Sequence, residues 1–199
     1  MMLTIILVLL LSYLIGCFNT GYYYTRLFYK QDIREIGTKV TGAYNVSRLT
    51  GKRGFIITFL GDSIKGAIVV ALCRWLKFAD LVVLLSVFCV LSGHIFPFQL
   101  KFRGGKGFST AFGAFLAFHP AFILYWAITA GILRLLISSY TIAVLFALTL
   151  LPLELFVLDY STEVVLLMIL DTLLIIYACR SNLIEFISKR AFQGTKKRK

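Results

Sequence analysis

The chain has 199 residues, of which 59% are apolar and 15% are charged. Globular domains average roughly 45–50% apolar and about 25% charged residues, so we exclude a soluble domain, a disordered chain, a coiled coil and a disulfide scaffold. An integral membrane protein remains. The formal net charge is nevertheless +12, from 21 Lys and Arg against 9 Asp and Glu. The location of these positive charges is therefore the first question.

Apolar segments that are candidates for transmembrane helices run along the whole chain, and a complete crossing needs about 20 residues. In chain order they are Leu3–Tyr23, Gly54–Cys73, Leu81–Phe98, Gly107–Phe118, Ala121–Leu133, Tyr140–Leu158 and Val164–Tyr177. The fourth and fifth belong to one uncharged stretch that could also be a single long, tilted helix. Pro120 disfavours helical geometry at His119, which favours a break between two short helices.

The positive charges decide between six and seven spans. With seven spans, nearly all Lys and Arg residues outside the apolar segments lie on one side, opposite Arg74 and Lys77. With six spans they divide evenly, and the positive-inside rule therefore favours seven. We predict an all-α, polytopic integral membrane protein with its N-terminus outside and its C-terminus in the cytoplasm. We expect one membrane-embedded domain over residues 1–199, with a basic tail at about 189–199.

The segment Phe102–Thr110 combines glycines and positive charge directly before an apolar helix. Gly104, Gly105 and Gly107 free the backbone to turn its N–H groups toward one point, as in anion-binding nests. Lys106 adds a positive charge, and the following helix adds its positive N-terminal end. The pattern predicts a phosphate site, and the alternative is a flexible basic loop at the lipid headgroups.

Two further polar segments are expected on the cytoplasmic side. The segment Gly37–Arg48 mixes small residues, hydroxyls and an amide, which suits a small polyol phosphate. Arg48 could bind a phosphate group through two hydrogen bonds. The alternative for this segment is a solvated juxtamembrane loop. The other segment, Cys179–Asn182, follows the last apolar helix and carries a weaker signal.

Ionisable residues inside the apolar segments are costly and indicate function by default. Asp62 and Lys65 are three residues apart on one helix face, so they form either a buried ion pair or a site open to the cytoplasm. His94 lies near the basic glycine loop and is either a core residue or part of the site. Asp171 lies in the middle of the last span without a partner nearby in sequence.

Together these segments resemble the bacterial membrane acyl-phosphate:glycerol-3-phosphate acyltransferases, and the likeness covers nearly the whole chain. The shared pattern is Gly37…Gly42-Ala43-x-Asn45-x-x-Arg48, then Asp62-x-x-Lys65-Gly66, then Gly93-His94-x-x-Pro97 and Phe102-Arg103-Gly104-Gly105-Lys106-Gly107. The resemblance implies a seven-helix enzyme of the bacterial plasma membrane with an active site facing the cytoplasm. It would transfer a fatty acyl group from acyl phosphate to the 1-hydroxyl of glycerol 3-phosphate, giving lysophosphatidic acid for phospholipid biosynthesis.

The resemblance also assigns roles to the candidate site residues. Those expected in catalysis, with Thr38 standing at a family serine, are Lys106, Thr38, Arg48 and Asn45. Those expected to bind the two substrates are Gly104, Gly105, Gly107, His94, Asn182, Arg180, Cys179, Asp62, Lys65 and Ser139. Ser138 and Thr141 compete with Ser139 for the position of another family serine. No covalent acyl-enzyme, metal or cofactor is implied.

Departures from the family pattern concentrate on the acceptor side. Lys39, Val40 and Tyr44 replace a glycine, an asparagine and a threonine, and Cys179 replaces a histidine. These changes would weaken acceptor binding or alter the acceptor. An inactive or regulatory paralogue and a small membrane transporter are the alternative interpretations. No nucleic-acid partner is expected, the bilayer is the expected surrounding, and a monomer is compatible with the sequence.

Overall fold

The computed structural model describes residues 2–196, and the side chains of residues 2–188. The basic tail expected at about 189–199 therefore lies outside the described side chains. In the described residues the chain is all-helical without a strand, which confirms the all-α part of the expected fold class. The helices are α1 (Met2–Cys17), α2 (Thr20–Phe28), α3 (Ala43–Trp75), α4 (Asp80–Ile95), α5 (Phe108–Phe118), α6 (Pro120–Leu136), α7 (Tyr140–Leu148), α8 (Leu151–Val157), α9 (Thr162–Ala178) and α10 (Arg180–Lys196).

Four helical segments of the described chain are long and apolar enough to cross a membrane. They are Met2–Phe28, Ala43–Trp75, Asp80–Leu100 and Tyr140–Val157. A fifth candidate is α9 together with the Arg180–Ser188 part of α10; the two helices are bent by 60° relative to each other. The remaining apolar helices, α5 and α6, are shorter and occupy the expected fourth and fifth spans. The count of seven therefore stays a prediction.

The break at His119 is confirmed. Helix α5 ends at Phe118 and α6 begins at Pro120, while His119 is extended with φ −153° and ψ 105°. Proline suits the first position of a helix, because the N–H that it lacks would have no partner there. The uncharged stretch is thus two helices and not one long one.

The third helix begins well before the expected span. We expected the second span to begin at Gly54, yet α3 starts at Ala43 and includes residues 43–53. Gly51, at φ 68° and ψ −158°, kinks the helix there, a conformation that glycine alone adopts readily. Asn45 and Arg48 therefore lie in the helical part of α3 before the kink, beside Gly37.

Small residues allow the central helices to approach closely. A Cβ on Gly93 of α4 would collide with the carbonyl oxygen of Tyr13 on α1. In the same way, a Cβ on Gly113 of α5 would collide with the carbonyl oxygen of Ser63 on α3. Contacts of this kind are typical of helix packing in membranes, where backbones pack directly against each other. They hold α1, α3, α4 and α5 as one central group.

We predict that Gly93→Ala lowers the free energy of unfolding by about 1–3 kcal/mol, the usual cost of overpacking a core. The obstacle is backbone and cannot rotate away. The matched control is Gly131→Ala on α6, where a Cβ would meet no atom within 4 Å. Unfolding of the purified protein in detergent measures both variants. Equal midpoints for the two would contradict the close packing of α1 and α4.

Candidate functional site

The glycine loop between α4 and α5 is anchored by its own backbone. The Gly104 amide donates to the carbonyl oxygen of Ile95 (3.2 Å), and the Gly105 amide donates to that of His94 (3.1 Å). The expectation that both amides turn toward a bound anion is therefore wrong, because each already has a protein acceptor. The two glycines are needed for space: a Cβ on either would collide with His94.

The amides that follow are differently placed. Among the described residues, no protein acceptor receives a hydrogen bond from the amides of residues 106–110. Gly107, at φ 88°, turns the chain into α5, and a left-handed residue of this kind costs a glycine little. Unpaired amides and the positive end of the helix dipole together make a helix N-terminus attractive to anions. The expected phosphate site thus moves from the first two glycines to the start of α5.

Lys106 connects this helix start to the far end of the chain. Its Nζ donates a hydrogen bond to Oδ1 of Asn182, in the first turn of α10. Burial lowers the pKa of Lys106, an effect that Cys179 and Glu185 nearby oppose. Cys179 is itself buried where α9 ends. The structure therefore brings Lys106 together with Cys179 and Asn182, which follow it in the sequence by more than 70 residues.

Asn45 is buried and its side chain is fully used within the protein. Its Nδ2 lies 3.0, 2.9 and 2.9 Å from the carbonyl oxygens of Ile33, Ile36 and Val40. Its Oδ1 accepts a hydrogen bond from the Thr38 amide at 2.8 Å. An amide group has two donor hydrogens and one acceptor oxygen, so little capacity is left for a substrate. Asn45 shapes the segment that carries Thr38.

The same segment is attached to the glycine loop. The Thr41 amide donates to the carbonyl oxygen of Gly104 at 3.3 Å, and the Thr41 hydroxyl donates to Oδ1 of Asn19 at 2.6 Å. Arg34 donates to the carbonyl oxygen of Leu100 at 2.8 Å. The sequence analysis did not predict these contacts, because residues that are distant in sequence show no characteristic spacing when they are partners.

Arg48 is an exposed cation beside this segment. Its guanidinium lies 5.2 Å from the centre of the Tyr44 ring. Gly37 lies beside Arg48 at φ 54°, and a Cβ there would collide with Oδ1 of Asn45 and come within 3.2 Å of Arg48 Cδ. No carboxylate in the described part of the chain forms an ion pair with Arg48. The charge is therefore available to a ligand.

The remaining candidates occupy different surroundings. Asp62 and Lys65 form the buried ion pair, with Nζ and Oδ1 2.9 Å apart, and His94 is buried against them. Arg180 is exposed, donates to the carbonyl oxygen of Tyr177 at 3.1 Å and lies over its ring. Ser139 is the residue before α7, where its side chain makes no capping hydrogen bond, and α7 contacts α10. The hydrogen bonds and ion pairs of the described chain join neither Arg180 nor Ser139 to Lys106.

We predict that Asn45→Ala releases the segment of residues 33–40 and lowers the free energy of unfolding by about 1–3 kcal/mol for each buried group left unpaired. Faster hydrogen exchange in residues 33–41 would show the loss directly. The matched control is Ser47→Ala on the same turn, since the Ser47 hydroxyl makes only an exposed hydrogen bond to Tyr44. Unchanged exchange in Asn45→Ala would contradict the role assigned to this amide.

Comparison with known proteins gives consistent matches over most of the chain. The model of the family described as glycerol-3-phosphate acyltransferase matches residues 6–189. The chain is 37% identical over 174 residues to glycerol-3-phosphate acyltransferase 1 of Bacillus thuringiensis subsp. konkukian, covering 87% of this chain and 96% of that one. It is 34% identical over 194 residues to glycerol-3-phosphate acyltransferase of Streptococcus thermophilus, covering 94% and 91%.

Two solved structures share the fold. Both are crystal structures of PlsY (YgiH), an integral membrane glycerol 3-phosphate acyltransferase, one in the glycerol 3-phosphate form and one in the lysophosphatidic acid form. The first has a TM-score of 0.86 and 28% sequence identity, and it covers 94% of each chain. The second has a TM-score of 0.83 at the same identity. A transporter is therefore disfavoured.

Proposed function

This chain belongs to the glycerol-3-phosphate acyltransferase family and is an acyltransferase, and we propose that it transfers a fatty acyl group from acyl phosphate to the 1-hydroxyl of glycerol 3-phosphate. The products are lysophosphatidic acid and inorganic phosphate. The protein is a multi-pass membrane protein. We place its seven spans in the bacterial plasma membrane with the active site facing the cytoplasm, because nearly all positive charges outside the apolar segments then share that side.

The start of α5 carries the proposal for the donor. The unpaired amides of residues 106–110 and the half-buried ammonium of Lys106 offer hydrogen bonds and positive charge at one point. A phosphate group bound there would be oriented by fixed dipoles that need not reorganise during the reaction. The acyl chain would leave this point along the exposed apolar helix faces toward the bilayer.

The acceptor would bind between two polar segments. Arg48 has no ion-pair partner in the described chain and suits the phosphate of glycerol 3-phosphate, which it could bind bidentately. Asn182, already bonded to Lys106, would place the hydroxyl end of the acceptor near the donor. Thr38 is exposed on the loop that Asn45 shapes, beside Arg48.

The chemistry needs orientation more than activation. An acyl phosphate is a mixed anhydride, so the acceptor hydroxyl oxygen can attack the acyl carbon while the bond from that carbon to the phosphate oxygen breaks. The released phosphate has oxygens that can take up the hydroxyl proton. Holding two substrates in attack geometry is worth about 7–11 kcal/mol of the barrier. Positive charge at the departing phosphate lowers the barrier further.

Phosphate release from palmitoyl phosphate, measured in purified protein with and without glycerol 3-phosphate, tests the proposal. We expect release that depends on the acceptor and saturates with it. An inactive paralogue would bind phosphorylated lipid without turnover. Absence of acceptor-dependent release would contradict the proposed donor and acceptor pair.

We predict that Lys106→Ala reduces turnover by about 100-fold or more, the usual effect of losing one donor that stabilises developing charge. The matched control is Lys101→Ala, since Lys101 is exposed on the same connection between α4 and α5. Both are assayed for phosphate release at saturating acceptor. Near-normal turnover in Lys106→Ala would show that the ammonium is not in the reaction site.

We predict that Tyr44→Leu raises the KM for glycerol 3-phosphate about 2–5-fold, because an exposed cation–π contact is worth about 0.5–1 kcal/mol. The ring of Tyr44 lies against the guanidinium of Arg48 and restricts it. Tyr44→Phe keeps the ring and should keep the KM. A rise in the KM for acyl phosphate instead would place Arg48 on the donor side.

A further inference from the structure

A buried cluster of three ionisable side chains lies beneath the glycine loop, and we call it the Lys65 cluster: Asp62, Lys65 and His94. Their exposed fractions are 0%, 5% and 2%. Asp62 and Lys65 belong to α3 and His94 to α4. None of the three lies at an open surface, so direct contact with a substrate does not explain the cluster.

The ammonium of Lys65 is surrounded by hydrogen-bond acceptors from three parts of the chain. It lies 2.9 Å from Oδ1 of Asp62, 2.8 Å from Nδ1 of His94, and 3.1 and 2.7 Å from the carbonyl oxygens of Gly16 and Phe18. Gly16 lies in the last turn of α1 and Phe18 in the break between α1 and α2, where carbonyl oxygens lack helical partners. The cluster therefore fixes the position of the His94 ring relative to α1 and α3.

The hydrogen bond to Lys65 also fixes how the ring is turned. An ammonium group has only donors, so Nδ1 of His94 must accept and the ring hydrogen must be on Nε2. The Nε2 edge faces Gly105, where a Cβ would collide with Nε2 and Cε1 and come within 3.1 Å of Cδ2. The Gly105 amide donates to the carbonyl oxygen of His94 at 3.1 Å. The loop thus lies directly on the ring, one residue before Lys106.

We propose that Lys65 is a positioning residue for the donor site: it holds the His94 ring, and the ring sets the position of Gly105 and so of Lys106 and the start of α5. This inference rests on the proposed donor site. It assigns the cluster a role in donor binding through the loop, and no direct contact with either substrate. A purely structural cluster would stabilise the fold without affecting one substrate more than the other.

His94→Phe is the variant that separates these roles. Phenylalanine keeps a ring beneath Gly105 but removes the acceptor for Lys65, which retains Asp62 and both carbonyl oxygens. We expect the KM for acyl phosphate to rise at least 5-fold, with the KM for glycerol 3-phosphate changed less than 2-fold. A lower unfolding midpoint with both KM values unchanged would overturn the proposal.

A double-mutant cycle tests the contact between ring and loop. Gly105→Ala should raise the KM for acyl phosphate at least 10-fold, because its Cβ needs the space of the ring. His94→Ala removes the ring and makes room for the Cβ. In that background, the fold-increase in the KM for acyl phosphate caused by Gly105→Ala should be at least 3-fold smaller than in the normal chain. Independent effects that simply multiply would overturn the proposal, since coupling measures the contact itself.

Hydrogen exchange gives a readout that does not depend on the reaction. Within residues 104–111 the amides that donate hydrogen bonds are those of Gly104, Gly105 and Ala111. These three amides should exchange faster in His94→Phe than in the normal chain, while those of α9 should not change. Unaltered exchange in the loop would overturn the positioning role whatever the substrates are. If the normal chain releases no phosphate from palmitoyl phosphate, the proposed function is wrong. The exchange result still tests whether Lys65 positions the loop through His94.

Discussion

The buried ammonium of Lys65 is the constraint on which the site end of the molecule depends. A charge removed from water is tolerated only when it is paired and hydrogen-bonded, and breaking such a pair costs about 3–5 kcal/mol. Here the required partners come from the α1–α2 break, from α3 and from α4. Asp62 in turn accepts a hydrogen bond from the Thr20 amide, which begins α2. Satisfying one charge therefore fixes the relative positions of four helices.

The same constraint explains the break between α1 and α2 in the first apolar segment. Irregular backbone at membrane depth needs partners inside the protein. The carbonyl oxygen of Phe18 accepts a hydrogen bond from Lys65, and that of Cys17 accepts one from Gln99 at 2.6 Å. The Asn19 side chain accepts one from Thr41. Each partner comes from a segment that borders the glycine loop or the loop shaped by Asn45. The polar groups of the break thus join the regions proposed to bind donor and acceptor.

Much of the architecture could be predicted from particular residues, and the failures have physical causes. Pro120 revealed the break after α5, and the spacing of Asp62 and Lys65 revealed their ion pair. The start of α3 was missed because its first residues are polar, and a polar helix cannot be recognised from hydropathy. The amides of Gly104 and Asn45 were misjudged because hydrogen-bond partners distant in sequence decide which groups remain free. The family resemblance assigned Lys106 and Asn182 to the two substrates of one site, but neither it nor the spacing predicted the hydrogen bond between them.

Product analysis by mass spectrometry tests the central claim most directly. Purified protein would receive palmitoyl phosphate with glycerol 3-phosphate, with glycerol, or with another polyol phosphate. The account predicts 1-palmitoyl lysophosphatidic acid in amounts equal to the phosphate released, and no acylated glycerol, because the acceptor's phosphate is needed at Arg48. Equal acylation of glycerol, or release of free palmitate at the same rate without an acceptor, would contradict it.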